Sequence, residues 1–252
     1  MARELAAANL DWDYFLRFVE PHKALPIVSC HVRQTLSEMI PPRVCDELRL
    51  RAIRYGKRAE TLSDELAAVL TAFEGAGIAA VPLKGPTLIE HIWGDCRLAA
   101  CDDLDILVRA SDAQTATEVL ARCGYHHGKE RADGVPRWKL GTSALVVFRD
   151  HPMFFRIWLQ LHTPYFLKRC WIGRFGPIEH LWERLRRGRF RGAPVWYLPD
   201  DWNLLLIALH SLRHSFVTLL CAAELHGLLE TAHISRKVCL PGEGHSLPRP
   251  GG

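Results

Sequence analysis

Residues 81–108, VPLKGPTLIEHIWGDCRLAACDDLDILV, constrain this chain more than any other stretch. They read as strand end, glycine turn, short helix, loop and strand. Val81 and Leu83 close an apolar run, and Gly85 permits a sharp backbone turn. Pro86 suits the first position of a helix, where its missing N–H costs nothing. Leu88, Ile89, Ile92 and Trp93 recur at helical spacing, and Gly94 can end that helix. Leu104, Ile106, Leu107 and Val108 read as a buried strand. Asp103 and Asp105 begin it two residues apart, which sends both carboxylates to one face.

Two carboxylates on one strand face, beside a glycine turn that opens a helix, suit a metal–triphosphate site. Mg2+ takes hard oxygen ligands, commonly one or two carboxylates completed by phosphate oxygens. A helix N-terminus can face phosphates, and Lys84 adds a point charge. Taken alone, a D-x-D pair also describes two solvated residues at a strand end, and Gly85 a plain turn. The surroundings separate these readings.

An L-K-G turn, a short helix, an upstream arginine and a D-[IL]-D-[IL]-L-V strand occur here as Leu83-Lys84-Gly85, Arg97 and residues 103–108. The pattern resembles the DNA polymerase β-like nucleotidyltransferase superfamily. It is most similar to an uncharacterised bacterial nucleotidyltransferase family, over residues 11–230 or so. That resemblance implies an α/β (α+β) fold: a polymerase β-like core with a mixed sheet, flanked by N- and C-terminal helices. It implies Mg2+- or Mn2+-dependent transfer of a nucleoside monophosphate from an NTP to an acceptor. A small molecule, a protein hydroxyl and an RNA end stay open as acceptors. By the same resemblance Asp103 and Asp105 are the metal ligands, and Lys84, Gly85, Arg97 and His162 contact the nucleotide.

Relatives of this kind bind two metals with three carboxylates, the third on a later strand in an E-L-H or D-L-H motif. The matching stretch here is Gln160-Leu161-His162. A glutamine carbonyl can accept or weakly ligate, but it carries no charge and takes no proton from an attacking hydroxyl. Pro86 is a second departure, because it removes a backbone donor that could face phosphate. The rival reading is therefore a catalytically degraded nucleotide-binding or adaptor protein of the same fold. Asp150 is expected at a hairpin tip and Asp102 on the opposite strand face, so neither replaces the missing acid.

The chain divides into a helical region (1–77), an α/β core (78–165), a second helical region (166–236) and a disordered tail (237–252). Helices are expected over 12–19, 26–40, 44–76, 111–123, 177–191, 200–214 and 217–232, and strands over 138–140, 144–148 and 154–161. Close-spaced strands should pair antiparallel, which makes the sheet mixed. Arg184, Arg186, Arg187, Arg189 and Arg191 read as a solvated helix end and loop, since the net charge of +4 is slight. His210 and His214 share a helix face, as a metal pair or as part of a pocket wall. The eight cysteines (30, 45, 96, 101, 123, 170, 221 and 239) contain no C-x-x-C pair. With no apolar signal core or run long enough to span a bilayer, they point to a reducing cytoplasm and no membrane.

The missing charge generates a first prediction. Gln160→Glu places a third acid beside Asp103 and Asp105. Without metal it should lower the melting temperature, since an unpaired buried charge is costly. Adding Mg2+ with NTP should restore it, since a ligand bound only by the folded state stabilises that state. Thermal melts with and without Mg2+–NTP check this; a loss that the ligands leave untouched contradicts it.

Overall fold

The computed structural model describes residues 10–127, 144–152, 156–164, 180–213, 215 and 217–231. Asp11 caps helix α1 (Trp12–Val19) by accepting the Tyr14 N–H at 2.8 Å. Helix α2 (Leu25–His31) carries Pro26 in its first turn and runs into a π-helical turn at Val32–Leu36. Pro41 then breaks the path, and helix α3 (Pro42–Gly75) follows with 34 residues. At 1.5 Å per residue it is roughly 50 Å long, enough to serve two cores. Its first turns, at Val44 and Leu48, pack with Leu16, Val19, Leu25 and Val32. Its last turns, at Leu66, Val69, Leu70 and Phe73, pack against the sheet residues Leu104, Ile106, Leu159 and Leu161.

The sheet has five strands in the order β1-β2-β5-β4-β3. These are β1 (Val81–Pro82), β2 (Asp103–Leu107), β3 (His126–His127), β4 (Ala144–Arg149) and β5 (Ile157–His162). Helix α4 (Pro86–Trp93) lies between β1 and β2, and α5 (Ala113–Arg122) follows β2. Strand β2 pairs antiparallel with β1 and parallel with β5, while β4 is antiparallel to both β5 and β3. The mixed sheet expected from the strand spacing is present. In the parallel ladder Asp103 sits opposite Trp158, Asp105 opposite Gln160 and Leu107 opposite His162. Side chains alternate along strands, so Asp103, Asp105, Gln160 and His162 share one face. Leu104, Ile106, Leu159 and Leu161 fill the other, in the core.

The expected helix over 177–191 is a correction. Among the described residues of that range only Leu181–Arg184 forms an α-helix (α6); residues 186–197 form a hairpin of β6 (Arg186–Phe190) and β7 (Ala193–Tyr197). Arg191 and Gly192 turn it with φ of 48° and 83°, two consecutive left-handed residues of the kind that tight hairpins use. Buried Phe190 and Val195 anchor it in the main core. Apolar spacing at Leu181, Trp182 and Leu185 suggested a longer helix, but burial of Phe190 decided for the strand. The arginines there are ion-paired rather than simply solvated: Arg184 with Asp201, Arg186 with Asp200, Arg187 with Glu74 and Arg191 with Asp64. Strand β3 was not anticipated, and β5 begins at Ile157. The expected strand at 138–140 and the disordered tail lie outside the described residues.

Helices α7 (Asp200–Arg213) and α8 (Leu219–Thr231) complete the chain. Leu228 of α8 packs with Leu88 and Ile92 of α4 and Ile207 of α7. No helix of the described residues is long and apolar enough to cross a membrane. Gly227 lets α8 approach α4 closely: a Cβ there would lie 2.1 Å from Ile92 Cγ2. Gly227→Ala should therefore destabilise by on the order of 1–2 kcal/mol from overpacking, despite alanine's better helix propensity. Adding Ile92→Leu, which removes the branch methyl, should recover part of the loss. Urea denaturation of the single and double variants measures both effects.

Candidate functional site

The parallel ladder carries Asp103 and Asp105 to the sheet face bordered by the turn at Lys84-Gly85. Each carboxylate has one oxygen fixed by a neighbour on β5 and one turned toward the lysine. Gln160 Nε2 donates to Asp103 Oδ2 at 2.7 Å. His162 Nε2 lies 2.7 Å from Asp105 Oδ1; a carboxylate only accepts, so the ring donates there. The Lys84 ammonium nitrogen sits 3.3 Å from Asp103 Oδ1 and 2.9 Å from Asp105 Oδ2. Asp105 Oδ2 is buried and has no hydrogen bond of acceptable geometry, so its contact with Lys84 is ionic rather than directional.

The turn that delivers Lys84 follows from local chemistry. Gly85 has φ 76° and ψ −140°, and an added Cβ would meet Cys101 Sγ at 3.0 Å. Both the backbone conformation and the space therefore call for glycine. The Leu83 N–H donates to Asp105 O at 2.9 Å, which ties the turn to β2. On the other side Arg58 of α3 donates to Cys101 O at 3.1 Å and to Asp102 O at 3.0 Å, pinning the loop that leads into β2.

Burial disfavours the Lys84 ammonium, but Asp105 and Asp103 outweigh it and hold the lysine above its ordinary range. Burial likewise pushes Asp105 up, and the His162 hydrogen bond and Lys84 charge together leave it below the usual carboxylate value. Burial, reinforced by Asp103, pushes the Cys101 thiol up to about 12, so it stays a neutral packing group.

These residues open into a cavity of about 600 Å³, the size of a small-ligand site. Lys23, Asp102, Leu206, His210, Thr218 and Cys221 complete much of its wall. The structure thus brings together Lys84, Asp103, Asp105, Gln160 and His162, with Gly85 at the turn beside them. Arg97 is not among them. It pairs with Asp95 at 2.8 Å and lines a separate cavity of about 700 Å³ between α2, the π turn and α3. Asp102 departs from expectation the other way. It precedes the strand, so alternation does not govern it, and it lines the same cavity, paired with Lys23 at 2.5 Å. Asp150 is exposed and pairs with Arg156, consistent with a turn position. His210 lines the cavity, while His214 lies outside the described residues. Among the described residues no cluster of three or more His, Cys, Asp or Glu side chains could hold a metal.

Sequence reasoning missed Arg58, Lys23, Thr218 and Cys221. Arg58 is an ordinary helix arginine until α3 is placed against β2, and no local signal marks it. Lys23 stands in a turn with φ 57°, which the nearby Pro21 hints at without naming the residue.

The profile of a family described as uncharacterised nucleotidyltransferase matches residues 8–237, and the chain belongs to that family. No curated protein matches. Among solved structures, an antigenic nucleotidyltransferase-like protein from Paracoccidioides brasiliensis aligns with 11% identity and a TM-score of 0.45, over 69% of this chain and 76% of that one.

The lysine–carboxylate cluster makes its own prediction. Lys84→Met removes the cation between two acids and should cost about 3 kcal/mol, as losing one partner of a buried pair does. Lys84 is held above its ordinary value of 10.5, so its stabilisation is fully present below that pH and is lost as pH rises through the folded value. The stability gap between wild type and Lys84→Met should be level near neutrality and narrow above about pH 10.5. Denaturant titrations across that range measure it.

Proposed function

We propose that this protein transfers a nucleoside monophosphate from an NTP to an acceptor hydroxyl, with Mg2+ or Mn2+ held by Asp103 and Asp105. The observation that carries this reading is the convergence of Asp103 Oδ1 and Asp105 Oδ2 on one point, where the Lys84 nitrogen sits. Two hard anionic oxygens already directed at a single cation are what a Mg2+ ion requires of a protein. The two protein ligands leave the remaining positions to phosphate oxygens and water, as is usual for Mg2+ with a nucleotide. When bound, the metal supplies charge for the phosphates and orients them.

The chain's own residues have distinct parts in this reading. Gln160 and His162 fix one oxygen of each carboxylate and leave the other for the cation. Lys84 offsets one of the two carboxylate charges without metal, and with metal it is free to turn to the phosphates. Gly85 makes the turn that holds Lys84 in the wall of that cavity. His210 and Thr218 form part of the wall that an acceptor would meet. The free thiols of Cys30, Cys45, Cys96, Cys101, Cys123 and Cys221 support a reducing, cytoplasmic setting.

One observation favours the second reading, a nucleotide-binding adaptor without chemistry: Gln160 is a neutral donor already bonded to Asp103. Both readings require the nucleotide site, so binding is tested first. In calorimetry, combining Asp103→Asn with Asp105→Asn should weaken Mg2+-dependent NTP affinity by tenfold or more, roughly 1.4 kcal/mol, and abolish its metal dependence. Unchanged affinity and unchanged metal dependence reject the site. Incubation with α-labelled NTPs, Mn2+ and cell extract then separates enzyme from adaptor, because only the enzyme leaves label on an acceptor.

A further inference from the structure

We propose that Lys23 is the second phosphate-binding cation of the cavity, and that Asp102 holds it there until a triphosphate takes over as its partner. This deepens the nucleotide-site reading above and rests on it. Two carboxylates already match the charge of one Mg2+, so the charge of a triphosphate falls to the side chains around the metal. Two lysines line the cavity with Asp103 and Asp105: Lys84 from the turn after β1, and Lys23 from the turn between α1 and α2. Lys84 lies against both acids of the metal site. Lys23 is held instead by Asp102, with its ammonium nitrogen 2.5 Å from Oδ2.

Lys23 does not reach the cavity as a loose surface side chain. Its backbone is left-handed, with φ 57°, a conformation that a non-glycine residue keeps only where its surroundings impose it. Such outliers cluster at ligand clamps. Here the turn is fixed from two sides. The Lys23 N–H donates to Glu20 O at 3.0 Å, and the Leu220 N–H of α8 donates to His22 O at 3.2 Å. The Glu20 carboxylate is paired in turn with Arg51 of α3 at 2.7 Å. The turn is thus tied to both α3 and α8, and Thr218 and Cys221, at the start of α8, line the same cavity.

The Lys23–Asp102 pair is built to exchange. Its side chains are 44% and 54% exposed, and a pair so open to water adds little stability. Asp102 also has a second cation within reach. Arg58 Nε lies 4.0 Å from its Oδ1, while the same arginine holds the Cys101 and Asp102 carbonyls. When a phosphate draws Lys23 away, Asp102 keeps Arg58 and is not left alone. A phosphate oxygen gives an ammonium the same charge-assisted hydrogen bond as a carboxylate does, and a triphosphate presents several such oxygens at once. Asp102, one residue before the metal-binding strand, is therefore a counter-ion that competes with the ligand for Lys23. A weakly charged ligand does not win that competition, so the pair selects for triphosphates.

The test is calorimetry of the full chain with Mg2+ as wild type, Lys23→Gln, Lys23→Arg and Asp102→Asn. The ligands are each of the four NTPs and inorganic tripolyphosphate, a probe with neither base nor sugar. Thermal melts of the variants should match the wild type, since an exposed pair adds little to stability. Lys23→Gln should weaken NTP binding about tenfold through loss of a charge-assisted contact, and tripolyphosphate binding by the same factor. Lys23→Arg keeps the charge and should stay within about threefold of wild type. Asp102→Asn should act in the opposite sense and tighten NTP binding about threefold, because it frees Lys23 and removes a negative charge from the wall. A merely structural pair would lose affinity from either side. Lys23→Gln at wild-type affinity overturns the proposal, as does a loss seen with NTPs and absent with tripolyphosphate. Lys23→Arg as weak as Lys23→Gln, or Asp102→Asn weakened along with it, overturns it too. A wild type with no Mg2+-dependent binding of any NTP instead sinks the nucleotide-site reading on which the proposal rests.

Discussion

Parallel pairing of β2 with β5 sets Asp103 and Asp105 against Gln160 and His162. Every other feature of the site follows from that ladder. A slip of one residue would turn the carboxylates into the core and Leu104 and Ile106 out of it. The slip is blocked because those leucines and isoleucines, with Leu159 and Leu161, are fully buried against α3. The core thus holds the chemistry in register, although none of its residues takes part in it.

Two acids brought together by such a ladder repel one another and lose their hydration. The fold answers with one cation and two hydrogen-bond donors. Lys84 lies between the facing oxygens, while Gln160 and His162 bind the outer ones. The result is a charge arrangement held together without metal and still directed at a single point. A third carboxylate in place of Gln160 would add charge next to Asp103, where the amide now donates. Glutamine here relieves repulsion and positions Asp103, a role its neutral side chain can fill and an acid cannot.

The helices decide what surrounds that point. Arg58 on α3 anchors the loop before β2 through two carbonyls, and α7 and α8 close the cavity opposite the sheet. Gly227 permits α8 to pack closely against α4. Each contact joins segments far apart in the chain. Their effect on the site passes through packing rather than direct contact with the two aspartates.

Local spacing alone determined much of this protein. The glycine turn, α4 with its Gly94 stop, the D-x-D strand and the long helix α3 were all legible, because each rests on neighbouring residues with a clear period or a special backbone need. The placement of both carboxylates on one face followed from strand alternation alone. Tertiary structure decided the rest. Apolar spacing over 181–185 favoured a longer helix, yet burial of Phe190 and Val195 made residues 186–197 a hairpin. Arg97 looked well placed before the strand, but a closer acid, Asp95, took it away from the cavity. Asp102 joined the cavity because strand alternation begins only after it. Sequence periodicity reports the face a residue occupies within its own element; only the packing of elements decides what that face meets.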